Sequence, residues 1–362
     1  MGTSSKVSRF GVDVHGKFSV ATARDASGQV LSRHRLDHTD REALRQTLRQ
    51  WPSGAPVILE ASFGWGWMCD ELMAAGLQPH LASSVKVAAW RKARGLAKSN
   101  RIDADLLAEL WDQQPRWWEV WLAPQEVRDQ RELLRHRMGL VATQTQVKNR
   151  IHALLHRHGI VHGYSDLFGV SGRRFLSLLV EDHQRLRETA RRTLKDMLIL
   201  LEALRRLIAR ATRQFRAVIR RSEGAQRLTT LPGVSTVLAY TLMAEIGQIE
   251  RFANARKLVR YSLLAPMADD SGETREGKPI GRCLSRAGRA TLQWAWIEAA
   301  HGAIRKDAHL RELFNRRTDN GKQDRNRGYI MIANRLCRIA YAILKHKTDY
   351  QMTPPPRRGS QG

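Results

Sequence analysis

The chain has 362 residues, 42% of them hydrophobic, which is enough for two or three folded domains. Lys and Arg number 61 against 35 for Asp and Glu, so the formal charge is +26. This excess is spread over the whole length, which argues against a membrane surface and favours a polyanionic partner, nucleic acid above all. No stretch approaches the roughly 20 apolar residues that span a bilayer. The start lacks the apolar core of a signal peptide, and three scattered cysteines form neither a CxxC pair nor a zinc spacing, so we expect reduced thiols in a cytoplasmic protein.

The first part of the chain, residues 1–124, alternates strand and helix patterns. A capping box at Thr39–Glu42 predicts a helix that ends near Trp51, and a second helix is predicted over 101–111. Short apolar or alternating runs predict strands over 9–14, 17–24, 29–36 and 56–60, the second and third joined by a hairpin turn at 25–28. Three strands in a row, then a helix, then further strand–helix units predict an α/β domain of RNase H architecture.

Residues 125–224 are predicted to be entirely helical. Apolar residues recur at helical spacing over 125–158 and 175–221, with a loop at 161–174 between them. Two long amphipathic helices joined in this way form a helical hairpin that resembles a coiled coil. Simple packing within one chain explains this pattern as well as a dimerisation arm with basic outer faces does.

A helical C-terminal domain is predicted over residues 225–350. The segment Leu228–Ser235 resembles the turn of a helix-hairpin-helix motif, in which Pro232 and Gly233 make the bend and backbone N–H groups face a DNA phosphate. Pro-Gly also marks ordinary turns, so an ordinary bend is the alternative. The proline-rich end, residues 351–362, is predicted to be a disordered tail.

Three acids lie at the ends of separate elements of the first domain. Asp13 lies inside an apolar strand, where a carboxylate is costly unless it is paired or binds metal, Glu60 ends another strand and Asp103 starts a helix. If they converge, they offer the oxygen ligands that Mg²⁺ prefers, and two such ions about 4 Å apart would serve a phosphoryl displacement. Unrelated surface carboxylates are the alternative. His15 shares the strand face of Asp13 and either reaches the same site or is an ordinary packed or exposed histidine.

Two sets of motifs resemble a known family. The segments Gly11–His15, Val57–Ser62 and Lys98–Glu109 resemble the N-terminal domain of the DEDD transposases, the insertion-sequence family numbered one hundred and ten, which also includes the Piv/MooV-type DNA invertases. A second set of segments follows the second domain of the same family in order and spacing: 231–234, 244–247, 251–252, 261–266, 271–272 and 284–288. The resemblance covers about residues 10–345.

The resemblance implies a RuvC-like RNase H fold with four acidic metal ligands. Asp13, Glu60 and Asp103 fall on three of these positions, but Asn100 stands where the family pattern K-T-D-x-x-D-A has its first aspartate. Positions 100 and 103 share a helix face, whereas Asp105 points about 200° away from Asp103 and is no simple substitute. An asparagine carbonyl binds Mg²⁺ without charge. The metal site is therefore expected to bind more weakly, to be completed by a DNA phosphate, or to be inactive.

The resemblance also implies that a serine attacks DNA, and this position is Ser271. A serine hydroxyl is a poor nucleophile and needs an activating base or metal, so a composite site with the carboxylates is expected. Four cations of the same segment either neutralise charge in the transition state or only position phosphates: Arg275, Lys278, Arg282 and Arg286. The family implies three kinds of partner: donor and target DNA, a structured noncoding bridge RNA, and further copies of the chain in a homodimer or tetramer. It also implies that the serine acts in trans, from another subunit.

Three functions follow from these observations. The first is a transposase or site-specific recombinase, or a DNA invertase of the same type, in a nucleoid-associated prokaryotic protein. The second is a RuvC-like nuclease that uses water, with a structural Ser271. The third is a catalytically decayed protein that only binds nucleic acid, which Asn100 makes worth testing.

Overall fold

The structure is a computed structural model that describes residues 6–265 and 289–352. The chain divides into two compact units, one up to Ala123 and one from Pro124 onward. Within the part of the chain that the structure describes, no helix is both long enough and apolar enough to cross a membrane. Cys69 and Cys337 are buried, and Cys283 lies outside the described residues.

The first unit is built on one six-stranded mixed sheet. Its strands are β1 (Arg9–Val14), β2 (Phe18–Arg24), β3 (Val30–Asp37), β4 (Pro56–Glu60), β5 (Gln78–Ala82) and β6 (Glu119–Val120). They lie in the order β3-β2-β1-β4-β5-β6. β1 pairs antiparallel with β2 and parallel with β4, which is parallel to β5. The mixed α/β arrangement fits the RNase H-like domain that the alternation of strands and helices predicts.

Four helices cover the sheet. They are α1 (Arg41–Arg49), α2 (Trp65–Ala74), α3 (Ser84–Ala93) and α4 (Asn100–Leu110). Val57 and Leu59 of β4 face one buried cluster, and Ile58 between them faces another. A strand that is buried on both faces must be apolar throughout, which explains why the short run Pro56–Glu60 could be recognised.

One predicted helix start is displaced by a residue. The N-cap of α1 is Asp40, whose carboxylate accepts a hydrogen bond from the amide of Ala43 at 2.9 Å. Thr39, the first residue of the predicted capping box, instead donates through its hydroxyl to Asp37 at 2.6 Å. Asp40 therefore takes the N-cap position that the sequence pattern assigns to Thr39.

In the described part of the second unit, all regular secondary structure is helical. Its helices are α5 (Gln125–Arg157), α6 (Val170–Glu181), α7 (Glu188–Arg221), α8 (Glu223–Thr230), α9 (Thr236–Ile246), α10 (Ala255–Tyr261), α11 (Ala290–Lys306), α12 (Ala308–Thr318) and α13 (Arg325–His346), with a 3₁₀ turn at Ile249–Arg251. α5 and α7 pack along one another, and buried residues of α5, α6 and the first half of α7 form a common core.

The helix predicted over 175–221 is two helices. α6 begins earlier, at Val170, and the chain leaves helical geometry after Glu181 before α7 starts at Glu188. The break has a local cause, because the carboxylate of Asp182 accepts the backbone N–H groups of Gln184 and Arg185, both at 3.0 Å. These bonds replace helical hydrogen bonds at that point. The hairpin of α5 and α7 is thus interrupted by α6, and coiled-coil pairing stays a prediction.

Candidate functional site

The sheet brings Asp13 and Glu60 to neighbouring positions. The parallel register of β1 and β4 pairs Val12 with Leu59, and the next residue of each strand is one of the two acids. Both acids lie at the carboxyl ends of their parallel strands, an edge where open α/β sheets bind ligands.

Helix α4 is held against the same strand by an unusually close approach. A Cβ on Gly11 would lie 2.2 Å from the carbonyl oxygen of Ala104 and 2.2 Å from the amide nitrogen of Ala108. Glycine opposite two alanines therefore lets the backbones of strand and helix touch. Asp103 directly precedes Ala104, in the first turn of α4. The packing of Gly11 thus brings the third predicted acid toward the end of β1.

Two of the three acids, Asp13 and Glu60, have a raised pKa. Burial raises the pKa of Asp13, and Asp103 raises it further, whereas His15 and Lys98 oppose the shift. Burial likewise raises the pKa of Glu60, with further increases from Asp13 and Asp103. A carboxylate raises the pKa of another carboxyl group only at short range. Together with the register of β1 and β4 and the packing of Gly11, these shifts indicate that the three acids lie near one another, and we call them the acidic cluster.

An arginine and a histidine contact the acidic cluster. Asp103 accepts a hydrogen bond from Arg91 at 2.8 Å, and Nε2 of His15 lies 3.0 Å from a carboxylate oxygen of Asp13. Among residues 6–265 and 289–352, no three His, Cys, Asp or Glu side chains are arranged to hold a metal ion. The donor set nevertheless fits a divalent cation in its chemistry, because half-buried carboxylates that repel one another are hard oxygen ligands in need of positive charge. Arg91 contacts Oδ1 of Asp103, so a metal ion coordinated by this carboxylate would use Oδ2 or compete with Arg91.

Asn100 is the first residue of α4 and is exposed to solvent. The helix begins there because the Ser99 hydroxyl accepts the amide of Ile102 at 3.2 Å. Asn100 and Asp103 therefore share the first turn, three positions apart. The role of Asn100 as a ligand stays a prediction.

Asp105 serves a different purpose from Asp103. Its carboxylate accepts hydrogen bonds from Thr22 at 2.7 Å and from Arg33 at 3.0 and 2.7 Å. Burial raises the pKa of Asp105, but the hydrogen bonds from Arg33 and Thr22 outweigh it and hold the pKa below its usual value. Asp105 thus ties α4 to β2 and β3 and points away from the acidic cluster, as the helical geometry predicts.

The predicted DNA-binding bend joins α8 to α9. Pro232 is buried, and Gly233 has a positive φ of 81°. A Cβ on Gly233 would lie 2.2 Å from the carbonyl oxygen of Ala299 in α11, so the glycine is required by packing as well as by conformation. The exposed part of this bend is Ser235, the N-cap of α9. Contact of Pro232 and Gly233 with nucleic acid stays a prediction.

The predicted serine lies outside the described residues, as do four cations near it: Ser271, Arg275, Lys278, Arg282 and Arg286. The described residues on either side of this segment meet in a polar cluster. Nε of Arg289 donates to the hydroxyl of Tyr261 at 3.1 Å and lies 3.6 Å from a carboxylate oxygen of Glu245. Glu245 is only 3% exposed and is also 3.7 Å from Arg131.

Glu245, Arg251 and Tyr261 of this polar cluster lie in segments that carry the family resemblance, but the sequence assigns no role to their individual side chains. Burial raises the pKa of Tyr261, but Arg289, Arg251 and Arg131 outweigh it and lower the pKa below its usual value. The signal that was available is Glu245, a single acid in the otherwise apolar helix α9. Its partners come from distant parts of the sequence, so spacing alone could not reveal them.

The family models and the related proteins that match this chain are all transposases or insertion-element proteins. Residues 10–160 match a transposase family, the DEDD transposases of the IS110 type, and residues 225–315 match the Transposase IS116/IS110/IS902 family. The transposase for insertion sequence element IS1111A of Coxiella burnetii is 25% identical over 82% of this chain and 79% of its own length. The transposase for insertion sequence element IS1328 of Yersinia enterocolitica is 24% identical over 95% of this chain and 98% of its own length.

Proposed function

The chain belongs to the IS110 family of DEDD transposases, and we propose that it cleaves and rejoins DNA strands with metal-bound carboxylates and a serine nucleophile. Membership makes it a DNA transposase, an enzyme of phosphoryl transfer. The observation that supports the finer mechanism is the convergence of Asp13, Glu60 and Asp103 in the acidic cluster, through the register of β1 and β4 and the close packing of α4.

In this proposal Asp13, Glu60, Asp103 and the side-chain carbonyl of Asn100 hold Mg²⁺. A bound Mg²⁺ supplies Lewis-acid polarisation of the scissile phosphate and stabilises the leaving oxygen. Asp105 keeps α4 in place through its bonds to β2 and β3. Because Asn100 carries no charge, binding at one position is weaker than four carboxylates would make it.

In the proposed serine step, a phosphoryl group of the DNA is transferred to Ser271. The hydroxyl oxygen of Ser271 attacks phosphorus, the bond between phosphorus and the deoxyribose oxygen breaks, and a phosphoserine forms. The hydroxyl proton leaves to a base, and the released deoxyribose oxygen takes up a proton. Rejoining reverses these steps, with a deoxyribose hydroxyl of the new strand as nucleophile. Arg275, Lys278, Arg282 and Arg286 offset negative charge that develops during the transfer or position the phosphates.

The remaining parts of the proposal concern partners and architecture. A RuvC-like first domain, a coiled-coil-like hairpin over 125–224 and a C-terminal domain over 225–350 act on donor and target DNA, guided by a structured noncoding RNA, in a homodimer or tetramer. The formal charge of +26 supports a large polyanionic load. Charge does not distinguish RNA from DNA, so the guide RNA rests on family resemblance.

The test is a covalent adduct. Protein, the candidate RNA and a junction DNA are incubated with Mg²⁺ and separated on a denaturing gel. We expect an adduct with the wild-type protein and none with Ser271→Ala, whereas Ser285→Ala, a serine of the same segment, retains it. An adduct that survives Ser271→Ala removes this serine from its role. Cleavage without any adduct supports a nuclease that uses water.

Asn100 favours one second candidate, a protein that binds nucleic acid without cutting it. Intact DNA binding with no cleavage under any divalent metal supports this alternative. The matched variant is Asn100→Asp, which restores the fourth carboxylate, and we expect it to tighten Mn²⁺ binding and raise cleavage. Loss of cleavage in Asn100→Asp would instead mark the asparagine as an adapted ligand.

A further inference from the structure

Phe63 presents nearly its whole side chain to solvent. It is 85% exposed, whereas the other exposed large aromatic residues in the described ranges, Trp117, Tyr164 and Trp294, are 37% to 41% exposed. An aromatic ring held in water forgoes the free energy that burial would supply, so its position calls for a reason.

The loop between β4 and α2 holds Phe63 outward by fixed contacts on both sides. Before it, the amide of Ser62 donates to the carbonyl of Glu60 at 2.7 Å, and the amide of Ala61 donates to Ala82 at 2.8 Å. After it, Gly64 has a φ of 82°, and a Cβ there would be in van der Waals contact with the side chain of Val14 at 3.5 Å. Phe63 is therefore displayed from an anchored loop.

The same anchors place Phe63 beside the acidic cluster. Glu60 lies three residues before it, and Val14, against which Gly64 packs, directly follows Asp13. Lys98 lowers the pKa of both carboxyl groups, so a cation lies near them as well. An aromatic ring thus lies at the edge of the sheet where the proposed function has a scissile phosphate.

Two kinds of partner could contact this exposed ring, a protein surface or a nucleobase, and the surroundings of Phe63 favour the nucleobase. A protein partner needs a contiguous apolar surface. Trp65 and Trp67, near Phe63 in the chain, are partly buried against the core of the first unit, and the next exposed large hydrophobic residues along the described chain are Met73 and Val85, ten or more positions away. A nucleobase needs a single exposed ring beside groups that handle its phosphate. We propose that Phe63 stacks on an unpaired base adjoining the phosphate bound at the acidic cluster. This inference rests on the proposed function and adds to it a residue that positions DNA.

The experiment measures binding of full-length protein to two labelled DNAs by fluorescence anisotropy, with Ca²⁺ in place of Mg²⁺ to limit cleavage. One DNA is an intact duplex, and the other carries a short unpaired bubble with 2-aminopurine. We expect Phe63→Ala to weaken binding to the bubble by about 5- to 150-fold, which corresponds to the roughly 1–3 kcal/mol of base stacking, and to leave duplex binding unchanged. We also expect that wild-type binding quenches the fluorescence of 2-aminopurine and that Phe63→Ala abolishes this quenching.

Two further variants separate ring stacking from a contact that is merely apolar. Phe63→Trp keeps a stacking face and retains both affinity and quenching, whereas Phe63→Leu keeps only apolar surface and behaves like Phe63→Ala. Val85→Ala removes a side chain that is 78% exposed in the same unit and serves as the matched control without effect. Because Phe63 is exposed, all its variants keep the melting temperature of the wild type.

Wild-type affinity of Phe63→Ala for the bubble overturns the inference, and so does wild-type behaviour of Phe63→Leu. The outcome for the proposed function is read separately, from the covalent adduct. Adduct formation together with bubble binding that does not depend on Phe63 refutes stacking alone. Base-dependent binding without an adduct or cleavage refutes the proposed chemistry and leaves the stacking contact standing.

Discussion

Gly11→Ala tests whether the packing of α4 on β1 builds the acidic cluster. The added Cβ would lie 2.2 Å from both the carbonyl oxygen of Ala104 and the amide nitrogen of Ala108, and 2.9 Å from the Cα of Ala108. All three atoms belong to the backbone, so no side-chain rotation relieves the clash, and α4 must move by about 1 Å or more to restore van der Waals contact. Overpacking of this kind costs about 1–3 kcal/mol, and we expect the upper end.

The displacement reaches the site directly, because Asp103 precedes Ala104 on α4. A shift of about 1 Å in a catalytic group lowers a rate by about 100-fold, so strand cleavage should fall by about that factor even where the variant is folded. Urea unfolding followed by circular dichroism measures the stability, and cleavage of junction DNA well below the melting temperature measures the site.

Gly16→Ala is the matched control. Gly16 lies two residues beyond the end of β1, and a Cβ there meets nothing within 4 Å. We expect the stability of this variant to equal or slightly exceed that of the wild type, because alanine reduces the freedom of the unfolded chain. The reasoning fails if Gly11→Ala unfolds at the same urea concentration as Gly16→Ala, or if it cleaves DNA at the wild-type rate.

Three other predictions follow from the described contacts. Asp105→Asn should lose about 1 kcal/mol of stability at neutral pH. Because the folded pKa of Asp105 is lowered, this difference should be complete above pH of about 4 and disappear as the pH falls through that lowered pKa, which urea titrations at several pH values will check. Gly233→Ala should destabilise the protein by about 3 kcal/mol through its clash with α11 and its positive φ, whereas Gly139→Ala, at an open position inside α5, should stabilise it by about 0.5–1 kcal/mol. Mg²⁺ at ten times its Kd should raise stability by about 1.4 kcal/mol, and Asp13→Asn should abolish that gain; an equal rise in melting temperature with this variant would rule out the acidic cluster as the site.

Strands can be predicted well where burial dictates the residues. The bounds of β1 and β4 are those of the predicted runs, because central strands that are covered on both faces admit few polar residues. The helix α5 is recognisable for a similar reason, since its apolar positions recur over many turns and end within a residue of the prediction. In each case one physical constraint acts on every residue of the element.

Helix ends are predicted less well because single hydrogen bonds decide them. Asp182 breaks a continuous helical pattern by accepting two backbone amides, although the apolar spacing continues on both sides of it. Asp40 takes the cap position from Thr39 in the same way. Periodicity averages over many residues and does not register such local competition.

Some residues of the candidate site could be predicted from the sequence, and others could not. Asp13 and Glu60 could be proposed because a carboxylate in or at the end of an apolar strand is conspicuous in the sequence, whereas Asp103 is proposed from its place at the start of a helix and from the family pattern. Phe63 carries no such signal, because an aromatic residue in a loop has the same appearance whether it is buried or exposed. The ion pair of Glu245 and Arg289 joins positions 44 residues apart, and only the fold brings them together.

The two aspartates of α4 show why the asparagine at position 100 cannot be offset from within the helix. Asp103 faces the acidic cluster, whereas Asp105 is engaged by Thr22 and Arg33 on the opposite side. Turning Asp105 toward the cluster would break the bonds that hold α4 to the sheet and would move Asp103 as well. Besides water, a further oxygen for the proposed metal would come from Asn100 itself or from the DNA phosphate. A phosphate ligand would make metal affinity depend on bound DNA, so we expect titrations of Mn²⁺ with and without DNA to differ more for the wild type than for Asn100→Asp.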